Sequence, residues 1–301
     1  MITARQKEAR KSGIGSSDAA AIMGLDPYRT AHDVWLEKTG RVDGFEAGEK
    51  AELGNALERG LLKLVGRRIN DTVRAPRWSF VRGRMRANID GMVGEPQKGA
   101  PIVEVKTTGL VDGWGPDNSA EIPDRVLVQV HHQMWCAESD RGFVACLRAF
   151  RGLELTIHPV RIDPDLSTRI VESCERFWKD NVLRDKPPEG SVGSLDTLAK
   201  VKRNGASIKL AEPTMQVVRR YVEAREVMSK WERECEDLKA AIITALGDAE
   251  HADAGDFTVS YKASESNRIN TDRLRREHPD IAATVTMPVM TRRFECKAVR
   301  R

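Results

Sequence analysis

From Met85 to Thr107 apolar residues recur with a period near two, in runs split by the turn-rich Gly94-Glu-Pro-Gln-Lys-Gly-Ala-Pro101. This pattern predicts a strand over Met85 to Val93, a turn, and a second strand over Ile102 to Thr107, together a β-hairpin. Successive side chains of a strand point to opposite faces. Val103 and Val105 therefore face a core, and Glu104 and Lys106 emerge side by side on the other face. Thirteen residues separate Asp90 from Glu104, and hairpin pairing can bring Asp90 to that same face.

Two carboxylates a few ångströms apart repel unless a cation lies between them. A hard cation takes oxygen ligands and keeps several waters, so Asp90, Glu104 and the backbone carbonyl of Val105 suit Mg²⁺, with Mn²⁺ as a substitute. Beside an ion-bound water, Lys106 can orient it, help to deprotonate it, or neutralise charge on a scissile phosphate. The reaction class implied is phosphodiester hydrolysis; the plain alternative is a surface salt bridge on a hairpin. Two similar triplets, Asp237-Leu-Lys239 and Glu295-Cys-Lys297, lack an acidic residue one hairpin upstream.

The hairpin's surroundings add candidates. A helix is expected from about Glu49 to Val65, with Leu57, Leu61, Leu64 and Val65 at helical spacing. Glu58 stands on its apolar row, where a carboxylate is costly without a cation or donor. Pro123 opens another helix, with Val126, Val130, Met134 and Ala137 on one stripe and Gln129 and Gln133 on its inner side, as holders of a water or ligand or as satisfied buried amides. His131 and His132 read as ordinary core or surface histidines. Earlier, small residues lead into Ala19-Ala-Ala-Ile-Met23, so a helix starts at Ser16 or Ser17, and another spans Ala31 to Lys38 before a glycine stop at Gly40. Strands are expected over residues 143–150 and 153–162, then a helix from Asp165 to Asn181.

After Lys186-Pro-Pro-Glu-Gly190 the composition changes. Residues 193–205 look linker-like, and a long helix over about 213–247 carries a heptad stripe from Val217 to Ala245. That stripe calls for a partner, either this chain's own remainder or another chain. Phe257, Val259 and Tyr261, with Arg292 to Lys297, suggest a small terminal hairpin. Two regions follow: residues 1–190, and an accessory region over 191–301.

Composition excludes several classes. An apolar content of 40% over 301 residues supports a buried core,. No apolar run approaches the roughly 20 residues of a membrane span and no signal core is present, so a cytoplasmic protein with no membrane partner is expected. Five cysteines without a CxxC pair suggest buried thiols, neither disulfides nor a zinc site,. The net charge of +4 is small, but Arg67, Arg68, Arg74, Arg77, Arg82, Arg84 and Arg86 crowd the approach to Asp90, as phosphate neutralisation or as a solvated basic face.

Gly13-Ile-Gly-Ser-Ser-Asp-Ala-Ala-Ala-Ile-Met-Gly-Leu-Asp-Pro-Tyr28, Val34-Trp-Leu-Glu-Lys-Thr-Gly40, Gly54-Asn-Ala-Leu-Glu58, Asn88-Ile-Asp-Gly91, Val103-Glu-Val-Lys106 and Val128-Gln-Val-His-His-Gln-Met-Trp135 together resemble YqaJ-like viral recombinases, relatives of phage lambda exonuclease. The resemblance covers about the first 190 residues. It implies an α/β (α+β) fold with a PD-(D/E)xK restriction-endonuclease-like core, a mixed central sheet flanked by helices. It further implies a 5′-directed exonuclease on linear double-stranded DNA, with a PD-(D/E)xK endonuclease or nickase, or a non-catalytic DNA-binding scaffold, as alternatives. By the same resemblance Asp90 and Glu104 bind metal, Lys106 assists the water, Glu58 supports the metal shell and Gln129 completes the site. Arg10, or Lys11 in its place, and Ser17 would hold a 5′ phosphate, with Ser16 and Ser17 also readable as helix caps. A single-strand annealing protein as partner and a homotrimer are implied too. Ile89 replaces the proline of the motif's name, and the last hundred residues have no counterpart in the family's short exonucleases.

Overall fold

The structure is a computed structural model that describes residues 11–42, 49–109, 113–149, 152–201, 203, 205–267, 269–287 and 294–296. It divides into two compact units, Met1–Asn204 and Gly205–Arg301.

The first unit is built on a five-stranded mixed sheet in the order β2-β5-β6-β7-β8 (Val73–Arg74, Gly91–Val93, Ile102–Thr108, Arg141–Arg148, Glu154–Arg161). Pairing is antiparallel except between β6 and β7. A parallel pair needs a crossover, which the helix Asp124–Ala137 supplies. A small sheet, β1-β4-β3 (Ile14–Gly15, Met85–Ala87, Phe80–Arg82), lies beside it, with β1 parallel to β4. The helices in chain order are α1 (Ser16–Ile22), α2 (Ala31–Lys38), α3 (Glu49–Ile69), α4 (Asp124–Ala137), α5 (Pro164–Phe177, running into a π turn to Val182) and α6 (Leu195–Lys200).

The predicted hairpin forms as β5 and β6, with Gly91 opposite Val103 and Met92 opposite Ile102. The predicted single strand over Met85 to Val93 does not: β4 and β5 belong to different sheets, and Asn88-Ile89-Asp90 is the irregular link between them. The two faces of β6 then separate as alternation requires. Val103 and Val105 pack with Leu62 and Val65 of α3, and Ile102 joins the larger core containing Val126, Val130 and Met134 of α4. α3 buries Leu61, Leu62 and Val65, whereas Leu57 and Leu64, expected in the core, are exposed. A helix face covering a sheet is narrower than the set of apolar residues that fits the period.

Residues 193–201 are not a bare linker. Ser194 caps α6 and donates its N–H to Asp33 of α2 at 2.9 Å, and Leu198 packs against the main core. Cys136, Cys146 and Cys174 are buried as expected, while Cys235 is exposed.

The second unit holds α7 (Glu212–Leu246), the hairpin β9–β10 (His251–Ala254, Phe257–Ser260), α8 (Thr271–Glu277) and α9 (Pro279–Val285). Phe257 and Val259 pair with residues 251–254 rather than with the terminal stretch: 294–296 is not strand, and the rest of 292–297 lies outside the described residues. On α7 the stripe residues Val217, Met228, Trp231 and Leu238 remain exposed.

Candidate active site

Asp90 ends the link between the two sheets and, by extension of the β5–β6 register, stands opposite Glu104. A Cβ on Gly91 would lie 2.6 Å from Leu62 Cδ2 and 2.7 Å from Val73 Cγ1. Gly91 thus lets α3 close on its side of the sheet, and Asp90 belongs to the opposite side, with Glu104. Asp90 Oδ2 accepts the Val105 N–H at 2.8 Å. In a strand the N–H and C=O of one residue point the same way. The Val105 carbonyl therefore also points toward Asp90, where β5 offers no strand partner.

Glu104 is 3% exposed and is held by three donors. Lys106 Nζ lies 2.6 Å and Gln129 Nε2 2.5 Å from its Oε1; Gln133 Nε2 lies 2.6 Å from its Oε2. Lys106 Nζ also donates to Gln129 Oε1 at 2.9 Å, so both amide orientations are fixed by chemistry: each Nε2 faces carboxylate oxygen. Gln133 makes one further bond, to the backbone carbonyl of Asn88 at 3.2 Å. It thereby ties Glu104 on β6 to the link that carries Asp90.

Electrostatics follow from this crowding. Burial, then the Glu104 carboxylate, push the Asp90 pKa well above the ordinary range, against the Val105 N–H and Lys106, which lower it. Burial and Glu104 also raise Glu58, and Arg59 opposes them. A carboxylate cluster that suppresses its own ionisation is relieved by a cation. Among the described residues no three His, Cys, Asp or Glu side chains are grouped to hold an ion. The set on offer is two carboxylates and one backbone carbonyl, with Glu58 farther out. All are hard oxygen donors that suit Mg²⁺ with its own waters.

Four of the expected site residues, Asp90, Glu104, Lys106 and Gln129, thus meet, with Val105 among them, and Glu58 is joined to them only through the field of Glu104. Gln133, expected beside Gln129 as a holder of a water or ligand or as a satisfied buried amide, is found on Glu104 as well. Its four-residue spacing from Gln129 is the signal that both reach one carboxylate.

The N-terminal candidates form a separate corner. The cap of α1 is Gly15, not a serine. Ser16 is buried and its hydroxyl has no partner among the described residues, Ser17 is exposed, and Arg10 lies outside the described residues. Asp18, one residue on, accepts the Gly15 N–H at 2.9 Å and pairs with Lys38 at 2.6 Å and Arg29 at 2.5 Å. Burial alone would raise its pKa, yet Lys38 and Arg29 hold it far below the usual range. His131 accepts the Asp163 N–H at 3.1 Å and lies 2.9 Å from the Leu127 carbonyl, a structural role.

Residues 6–140 match the model of the YqaJ-like viral recombinase domain. Across 308 aligned positions the chain is 30% identical to the uncharacterized protein YqaJ of Bacillus subtilis (strain 168), covering 96% of this chain and 92% of that protein. Among solved structures, the alkaline exonuclease LHK-Exo of Laribacter hongkongensis is 14% identical, with TM-score 0.47 over 61% of this chain and 94% of its own. A phage related exonuclease of Haemophilus somnus 129PT is 12% identical, with TM-score 0.43 over 58% and 96%. The match along nearly the whole length of the Bacillus subtilis protein decides the kinship: the chain belongs to the YqaJ-like viral recombinase family.

Proposed function

We propose that this chain is a metal-dependent DNA nuclease, and specifically an exonuclease that degrades linear duplex DNA from a 5′ end to supply single strands for recombination. The observation that carries the reading is the single hydrogen-bonded cluster of Glu104, Lys106 and Gln129 with Asp90 at its edge. An ordinary surface salt bridge does not draw a buried carboxylate, a second carboxylate of raised pKa and two inward glutamines together.

In this reading Asp90, Glu104 and the Val105 carbonyl hold Mg²⁺ or Mn²⁺, and Glu58 supports that shell. The bound ion supplies an activated water and stabilises the leaving oxygen. Lys106 is positioned by Gln129 and Glu104 and places its charge beside the scissile phosphate. Gln129 holds Lys106 and Glu104 in register, and Gln133 keeps Glu104 and the Asp90 link at fixed separation. Ser17, exposed on the first turn of α1, is assigned with Arg10 and Ser16 to the 5′ phosphate. A homotrimer and a single-strand annealing partner belong to the same reading.

With Mg²⁺, a linear duplex bearing a 5′ phosphate is degraded and a closed circle survives. Cutting of the circle would replace the exonuclease reading with an endonuclease or nickase, and hydrolysis of neither DNA with Mg²⁺ or Mn²⁺ would leave a DNA-binding scaffold. Lys106→Ala lowers the hydrolysis rate at least ~10²-fold, as loss of a transition-state charge does, while DNA binding persists in a gel-shift assay. Undiminished hydrolysis in that variant removes Lys106 from the mechanism.

A further inference from the structure

The chain from Thr72 to Ile89 contains five arginines, at 74, 77, 82, 84 and 86, and no acidic residue. It runs from β2 in the large sheet into β3 and β4, with β3 at the edge of the small sheet. The arginines are not equivalent. Arg74 is paired with Glu95. Arg86 is half-buried, with Nη2 on Ser12 Oγ at 3.1 Å. Arg82 and Arg84 lie over the rings of Trp135 and Trp178, at 3.7 and 5.1 Å. They are exposed and keep their charge available; Glu138 is the acidic group whose field is felt with Arg82. Arg77 is exposed.

Amid these charges stands Trp78, 53% exposed, an unusual place for the largest apolar side chain. Its neighbour Phe80 is buried and touches it at a centroid distance of 6.1 Å and a tilt of 50°, which braces the indole from one side. The next residue, Ser79, donates to Asn88 Oδ1 at 2.5 Å. The Asn88 carbonyl in turn accepts from Gln133 at 3.2 Å, and the same Gln133 nitrogen reaches Glu104 at 2.6 Å. Trp78 is therefore anchored, through its neighbour and three hydrogen bonds, to the carboxylate at the centre of the site.

We infer that the β3–β4 ribbon is a DNA-docking surface on which Trp78 stacks against an exposed base face beside the active site, with Arg77, Arg82 and Arg84 neutralising the adjoining phosphates. An indole braced on one side and open on the other, among cations, matches the interleaving of stacking platform and positive groove that single-stranded nucleic acid uses. A protein partner would gain little from the exposed Arg77, Arg82 and Arg84, whereas a polyanion would gain from all three. The exposed face can belong to an unpaired base or to the terminal pair of a blunt duplex. This inference rests on the nuclease reading for its substrate but not for its test.

The full-length protein in Ca²⁺ is titrated with fluorescein-labelled single strand and blunt duplex, and separately with DNA carrying 2-aminopurine at the end or in the duplex interior. Trp78→Ala is expected to weaken binding about tenfold, within the range that stacking on one base supplies, and to abolish quenching of terminal 2-aminopurine; Trp78→Phe retains most of both. A loss confined to single strand identifies an unpaired base, and a loss on blunt duplex as well identifies the terminal pair. Unchanged affinity for both DNAs with quenching intact would overturn the assignment. A wild-type protein that shows this Trp78-dependent quenching yet hydrolyses no DNA with Mg²⁺ would overturn the nuclease reading and leave the docking surface standing.

Discussion

At the scale of single residues the site is a balance between folding and function. Asp90 sits where burial and Glu104 both disfavour its charge, so the metal-free fold would be better off without it. The sign follows from linkage: an acid whose pKa is raised in the folded state binds more protons folded than unfolded, and stability is lost as pH climbs from the ordinary value of 3.8 through the raised one. In chelator, Asp90→Asn therefore melts higher than the wild type at pH 8, by about 2 to 4 °C for each kcal/mol relieved, and the gap closes toward pH 4. Adding Mg²⁺ raises the wild-type midpoint and not the variant's. Equal midpoints across that pH range would mean that Asp90 is not under the strain described. Asp90, Glu104 and Lys106 were legible in the sequence because period-two alternation leaves few choices once a hairpin is assumed. The double grip of Gln133 was not, since it requires knowing how close α4 comes to β6.

Elements meet at this site because two helices approach the hairpin from opposite faces, and Gly91 is where the closer approach is visible. A side chain there would overlap Leu62 and Val73, both in the cluster under α3. Gly91→Ala should cost ~1–3 kcal/mol, the usual penalty for overpacking a filled core, measurable as a lower urea midpoint with unchanged slope. A variant as stable as the parent would show that α3 can retreat freely. The same face explains the partly wrong expectation for α3. Leu57, Leu61, Leu64 and Val65 all satisfy a helical period, yet only Leu61 and Val65 are covered. Hydrophobic periodicity reports which residues lie within a wide arc, and only the neighbouring sheet selects the part of that arc that is buried. The predicted continuous strand over Met85 to Val93 failed for a related reason. Its alternation is genuine, but it serves two sheets in turn, and a change of partner leaves no mark on the period.

For the molecule as a whole, the first unit ends at Asn204, although proline and glycine around position 190 mark a break in composition. Residues 193–198 return to α2 through the Ser194 N–H on Asp33 and the packing of Leu198. A fragment of residues 1–204 is therefore expected to unfold cooperatively by calorimetry, and one ending at 190 to melt lower, having lost that strap. Equal midpoints would make the strap irrelevant to stability, and an unfolded 1–204 would show that the second unit is needed for folding. Light scattering on full-length protein and on 1–204 then reports whether the proposed trimer exists and which unit holds it. Among the described residues no helix is long and apolar enough to cross a membrane. The sequence alone determined the hairpin, the helices flanking it and the shared place of Asp90, Glu104 and Lys106, because periodicity and side-chain alternation are local properties of a chain. The break in strand pairing before Asp90, the grip of Gln133 on Glu104, the exposed place of Trp78 and the return of residues 193–198 to α2 were decided only in three dimensions. Each depends on which surfaces far apart in the chain come into contact, and that is settled by packing rather than by any local pattern.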